Sequence, residues 1–195
     1  MHGFVSSDGD VTLLLRRWSD GDAAALDPLF SLVYPRLRQI AGALFRGESA
    51  ANLLQPTGVV NELFLKLAEQ RRLQFTDREH FFSLGSLLMR RILVDAARAE
   101  RRDKRDGGIR IPLDLDLLGT TVGPSADVLD IDRALEELEL IDARKTRIVE
   151  LRLFLGAIAE ETADLLKLSK ATVDRDLRFA RAWLIERLAG GASAP

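Results

Sequence analysis

The chain has 195 residues, 47% of them hydrophobic, and contains no cysteine, so it can bury a sizeable core, while disulfides, thiolate metal sites and cysteine nucleophiles are excluded together. The segment at 1–10 lacks the basic-then-apolar pattern of a signal peptide and no uncharged apolar run approaches the ~20 residues that span a bilayer, so a cytoplasmic location without a membrane partner is expected. A formal net charge of −2 argues weakly against a nucleic-acid partner as a mean, but charge is distributed unevenly along the chain.

The first predicted element carries Leu26, Leu29, Phe30, Val33, Leu37, Ile40, Ala41 and Leu44 at three- and four-residue spacing, which makes one apolar helical stripe. Asp22 is placed to cap it. Pro35 falls inside the stripe and is expected to kink or split the helix, because its ring removes one hydrogen bond and crowds the preceding turn. A second helix is predicted from Thr57, as its cap, through Val60, Leu63, Phe64 and Leu67, leaving Asn61, Glu62, Lys66 and Glu69 on the other face. A third starts near Asp77, carries Phe81, Leu84, Leu88 and Ile92 inward and continues past the apolar pattern into a basic run. Between Arg90 and Arg110 eight Lys/Arg stand against four Asp/Glu, a local net charge of +4.

Asp106-Gly107-Gly108 ends that helix, and the stretch to about Ala126, with Pro112, Gly119, Gly123 and Pro124, has no sustained period and reads as a flexible linker. From Ile111 to Asp142 nine acids accompany only Arg133, net −8, before ten bases against seven acids between Ala143 and Leu188 return +3. The acids Asp114, Asp116, Asp127, Asp130 and Asp132 either imitate nucleic-acid charge or keep the linker extended and soluble; solubility is the preferred reading at the linker's end. Val128, Ile131, Leu135, Leu138 and Ile141 give a further helix, and Ile148, Leu151 and Leu155 another. Ala189 to Pro195 reads as a disordered tail. No stretch alternates as a strand. The expected fold class is all-α: two small helical domains, residues 11–106 and 127–188, joined by a linker at 107–126.

The most informative window is Glu160 to Arg181, where two helical patterns are separated by only a few residues. Ala163 is small where two backbones must approach, Leu168 can plug the turn and Val173 can close the core beneath the second helix, a helix-turn-helix pattern. Lys167 occupies the turn position that usually carries glycine, so a left-handed backbone there costs about 1 kcal/mol. Ser169 can cap the second helix, whose face near its start presents Lys170, Thr172, Asp174 and Arg175 to a major groove, with Arg178 and Arg181 following toward phosphates. Asp174 places a negative charge where nearby phosphate disfavours it, unless it accepts a hydrogen bond from a cytosine amino group. A plain helical hairpin with solvated charges is the competing reading of this window.

Taken with Thr57 to Lys66, His80-Phe-Phe and Met89-Arg-Arg-Ile-Leu-Val-Asp-Ala-Ala-Arg98 upstream, these residues resemble the extracytoplasmic-function (ECF) group of bacterial sigma factors, over about residues 11–188. The resemblance implies that the first domain is sigma domain 2, which grips the beta-prime clamp helices of core RNA polymerase and opens the promoter near minus ten. The second is sigma domain 4, which reads the element near minus thirty-five and meets the beta flap. On this carry-over Asn61, Glu62, Phe64, Leu65 and Lys66 lie on the polymerase-binding helix. Arg90, Arg91, Arg98, Arg101, Arg102, Lys104 and Arg105 approach minus-ten DNA. Ser169, Lys170, Thr172, Asp174, Arg175, Arg178 and Arg181 serve the minus-thirty-five element. Melting needs a pocket for an unstacked base, which Phe75 with Phe81 and Phe82 can furnish; plain core packing is the stronger reading of Phe81, and both readings stand for Phe75. The resemblance also brings an anti-sigma protein into view as a partner, without identifying one.

A stand-alone dimeric helix-turn-helix regulator explains the C-terminal window equally well but leaves the upstream basic helix and the amphipathic segment at 57–70 without a purpose. An enzyme is not expected: there is no glycine-rich phosphate loop, serine nucleophile elbow or paired-histidine metal motif, and no cofactor or metal is expected either.

Overall fold

The computed structural model describes residues 8–44, 55–69, 78–103, 108–113 and 125–191. Phe75, Lys104, Arg105, Asp77, Asp114 and Asp116 lie outside them.

Helix α1, Asp8–Ser19, turns Val11, Leu15 and Trp18 inward, and Asp22 then caps a short 3-10 turn at Ala23–Ala25 by accepting from the Ala24 N–H at 3.0 Å. The Arg17 guanidinium grips the same carboxylate at 2.6 Å and holds its pKa below the usual range. Helix α2, Leu26–Leu44, buries the expected stripe and runs on through Pro35 instead of splitting. Both Pro35 and Ser31, whose carbonyl loses its partner, are exposed, so water can replace the missing bond. Helix α3, Pro56–Glu69, begins one residue before Thr57: proline occupies the first turn, where its missing N–H costs nothing, and the Gln55 carbonyl accepts from Gly58 and Val59.

Helix α4, Arg78–Asp103, buries more than one stripe. Phe81 meets Trp18 edge-on at 6.4 Å, and Phe81 and Phe82 sit in the core. Such a broad apolar surface needs partners on two sides. One side faces α3; the other makes the most extensive helix pairing among the described residues, with α5, Val128–Leu155.

The stretch expected as a linker begins and ends in a two-stranded antiparallel ribbon, β1 at Arg110–Pro112 against β2 at Ser125–Asp127, with Ile111 opposite Ala126. Ile109, Ile111, Pro112 and Leu113 are buried and Arg110 is exposed, so the alternation runs only from Ile109 to Ile111 before the buried proline breaks it.

Helix α5 is two helices joined at Asp142, whose backbone (φ −158°, ψ 95°) is extended. Asp142 starts the second arm by accepting from the Lys145 N–H at 3.2 Å, and its side chain also pairs with the Lys145 ammonium, which lowers its pKa. Ile141, expected inward, is accordingly exposed beside Leu140 at the break. Gly156 ends the second arm in left-handed conformation (φ 60°), with Ile40 of α2 so close that a Cβ would lie 3.0 Å from its Cγ1.

Helix α6, Ala159–Leu166, and α7, Lys170–Gly191, follow, so α7 extends three residues into the expected tail. The interior is continuous from Val11 on α1 to Leu184 on α7: the two expected units pack on each other. A second, separate cluster of Ile148, Ala159, Ala163, Val173 and Leu177 seals the crossing of α6 and α7.

Candidate nucleic-acid interface

The turn between α6 and α7 has the expected form. Ala163 is buried at the crossing, its carbonyl accepts from the Leu168 N–H at 2.9 Å, and Lys167 takes the left-handed conformation at φ 54°. Glu161 accepts from the Ile158 N–H at the start of α6, 2.9 Å away. Ser169 caps α7, its Oγ accepting from the Thr172 N–H at 3.1 Å and lying 2.8 Å from the Thr172 hydroxyl.

On α7 the apolar residues Val173, Leu177, Ala180 and Leu184 point inward, which turns Lys170, Asp174, Arg178 and Arg181 to one side, with Arg175 offset by roughly a quarter-turn. Lys170, Arg175 and Arg178 are exposed. Asp174 lies against Lys170 at 3.1 Å, an attraction that raises the Lys170 pKa and offsets the carboxylate's repulsion of phosphate.

Two cations near this helix escaped the sequence reading. Asp176, 2% exposed, occupies an inward position of α7 and accepts from Arg144 Nε at 2.9 Å, with Arg175 at 3.6 Å and Lys145 at 3.8 Å. Lys145 also stands 5.1 Å from the Phe179 ring centroid. The signal was Asp176 itself, a carboxylate three residues after Val173 on an apolar face, which demands a cation from elsewhere.

The basic run on α4 divides into two sets. Arg91, Arg98 and Arg102 are exposed, and their spacing of seven and four residues puts them at nearly one angle. Arg90 was expected on that DNA-facing surface and is not there: it is 8% exposed, donating from Nε to Asp132 Oδ1 at 2.7 Å, from one terminal nitrogen to Glu150 Oε1 at 2.9 Å, and from the other to the Asp132 carbonyl at 2.8 Å. Its position one residue from Arg91 rotates it about 100° around the helix, onto α5. Arg101 is half engaged, bound to Asp127 at 2.8 Å, while Arg98 reaches Asp132 only at 3.8 Å. Asp127 and Asp132, read as solubilising linker acids, are thus ion-pair partners, and Asp127 also caps α5 through the Leu129 N–H. Glu150 is 4% exposed, and burial pushes its pKa up despite Arg90.

On α3, Asn61 and Leu65 are exposed, and Glu62 pairs with Lys66 at 3.5 Å along the same face. Phe64 turns partly inward instead, its ring centroid 4.4 Å from that of Phe30. Among the described residues no cluster of acids and imidazoles can hold a metal ion, and no helix is long and apolar enough to cross a membrane.

A sealed helix crossing, a capped second helix and a cationic outer face define a helix-turn-helix DNA-binding protein. Residues 8–190 match the family model described as ECF sigma factor, and the chain belongs to that family. Comparison with curated proteins and with solved structures gives no match. Membership makes the chain an RNA polymerase sigma factor, a transcription factor whose partners are core RNA polymerase and promoter DNA, and it accounts for the upstream helices that a stand-alone regulator leaves idle.

Proposed function

We propose that residues 11–106 act as sigma domain 2, docking on the polymerase clamp helices through Asn61, Glu62, Leu65 and Lys66 of α3 and engaging the minus-ten element through Arg91, Arg98 and Arg102, with Arg101, and with Lys104, Arg105 and Phe75 outside the described residues, assigned to the same element. Residues 127–188 act as sigma domain 4 and read the minus-thirty-five element. There Lys170, Thr172 and Arg175 approach base edges, Asp174 and Ser169 set the start of the helix, and Arg178 and Arg181 follow phosphates. Phe64 anchors α3 to α2 and shapes the docking face from beneath. The beta flap and an anti-sigma protein are the remaining partners in this reading.

The observation that carries it is the pair of exposed cationic stripes, one on α4 and one on α7, each backed by an apolar core and separated by 107–126 in the chain. Phosphate neutralisation by such stripes supplies sequence-independent affinity, and the base-facing residues of α7 add choice. The test is reconstitution with core RNA polymerase on a pool of promoter fragments. Promoter-specific transcripts that depend on the chain are the expected result; folded chain that leaves core enzyme unselective refutes the reading.

A further inference from the structure

We infer that Phe179 is a base-reading residue of α7, its ring taking the C5 methyl group of a thymine by van der Waals contact in the major groove of the minus-thirty-five element. This rests on the sigma reading above and adds to it a residue that discriminates thymine from the other bases.

Helix geometry puts the ring on the outer face. Val173, Leu177, Ala180 and Leu184 turn to the interior, so Arg175 stands on the opposite side of α7, with Arg178 and Phe179 about 60° and 40° to either side of it. All three are exposed. Ala182, one turn on along the same face, is exposed too and carries only a methyl, which leaves the ring the taller of the two and free to reach a groove floor.

The ring is also held in place. Phe179 is 46% exposed, and an exposed ring ordinarily changes rotamer freely. Here Lys145 stands 5.1 Å from its centroid and covers one face. Lys145 is tied down in turn by the Asp142 carboxylate and by buried Asp176 at 3.8 Å. The same Asp176 lies 3.6 Å from Arg175, so one carboxylate behind the helix steadies both outward side chains, Arg175 directly and Phe179 through Lys145. A ring set in advance gives up less freedom on binding.

Charge decides what covers the exposed part of the ring. Arg175 and Arg178 beside it and Lys145 behind it call for an anionic partner. Duplex DNA supplies phosphates on both walls of a groove whose floor is most apolar at its thymine methyl groups. Phe179 has no side-chain donor or acceptor, so that methyl is the feature of the groove it can prefer. Phe179 lies four residues past Arg175, about 6 Å along the helix. At about 3.4 Å per base pair, its thymine falls one or two steps from the pair that Arg175 meets.

Holoenzyme reconstituted from core RNA polymerase and the full chain selects bound duplexes from a pool randomised in the minus-thirty-five element, with wild type, Phe179→Ala, Phe179→Leu and Arg175→Ala in parallel. Phe179→Ala is expected to lose the preference for thymine at one base pair, one or two steps from the pair at which Arg175→Ala relaxes choice. Phe179→Leu keeps an apolar tip and should retain part of the preference. Each thymine of the selected element is then replaced singly by deoxyuridine, which lacks the methyl group and keeps the pairing edge. Wild-type holoenzyme should bind about fourfold more weakly at one such position, the worth of one methyl taken out of water, and Phe179→Ala should bind both duplexes alike. Damage to the fold lowers affinity for the two duplexes together and leaves their ratio intact, so the ratio isolates the contact. Equal binding of thymine and uracil duplexes by wild type at every position overturns the inference, and so does a Phe179→Ala chain that keeps the wild-type ratio. A Phe179→Ala chain that loses affinity for core enzyme without DNA also overturns it, by giving the ring to a protein partner. A wild-type holoenzyme that selects no element refutes the sigma reading itself, whereas selection indifferent to Phe179 removes this residue alone.

Discussion

Arg90→Ala removes a buried cation, takes from the Glu150 carboxylate its guanidinium partner and leaves the Asp132 carboxylate with only Arg98, 3.8 Å away. Breaking a buried ion pair from one side costs about 3–5 kcal/mol, because the remaining charge stays out of water without a counterion. Two features place this site near the lower end. Glu150 already has a raised pKa and escapes part of the penalty by taking a proton, and the Asp132 side chain is 13% exposed, enough to recruit water. The expected loss is therefore about 3 kcal/mol, read as a shift of the urea midpoint at neutral pH by circular dichroism. Arg91→Ala, the exposed neighbour, is the control and should stay within about 0.5 kcal/mol of wild type. Arg90→Met combined with Asp132→Asn and Glu150→Gln removes all three charges together and should recover most of the loss. Equal destabilisation by Arg90→Ala and Arg91→Ala refutes the assignment of Arg90 to the interior.

Glu150 has a folded pKa raised above its ordinary 4.5, so its favourable contribution is present below that value and is lost as pH rises through the folded pKa. The stability of Glu150→Gln relative to wild type should consequently grow between pH 4.5 and neutrality, and a difference independent of pH contradicts the burial argument. Lys167→Gly relieves the left-handed strain but adds freedom to the unfolded chain, and thermal unfolding should show a net gain of about 0.5–1 kcal/mol; a loss would mean the lysine stem contributes packing. Gly156→Ala adds a Cβ at positive φ against Ile40 and should cost about 2 kcal/mol in the same assay, with an unchanged melting point as the contrary result. Arg178→Ala should reduce the salt-dependence slope of holoenzyme binding to minus-thirty-five duplex by about 0.9, and an unaltered slope takes Arg178 out of the interface.

Much of the fold was legible because apolar spacing reports which face of a helix is buried. The stripe from Leu26 to Leu44 and the turn at Lys167 could be read from local residues alone, as could the caps at Asp22 and Ser169. Pro56 outcompeted Thr57 as the start of α3 because proline loses nothing in a first turn. The division of residues 128–155 into two helices could be read because their apolar stripes lie about 140° apart around the axis, but its place at Asp142 could not, and Ile141, expected inward, is exposed beside Leu140 at the break. The strand at Arg110–Pro112 was hidden because its alternation lasts only from Ile109 to Ile111 before the buried Pro112, too short a run to show a period. Arg90 was misplaced for a different reason. Periodicity tells a side chain's direction but not what waits there, and its partners lie far downstream in a stretch whose acids looked like solubilising charge.

The five side chains that seal α6 against α7 stand apart from the main interior. This small cluster sets the first turns of α7, while Ala180 and Leu184 further along tie the same helix into the main interior, so a change in either cluster can shift its course. The exposed side chains Lys170, Arg175 and Arg178 can change in descendants with the packing beneath them intact, whereas a change in either cluster moves the helix that carries them.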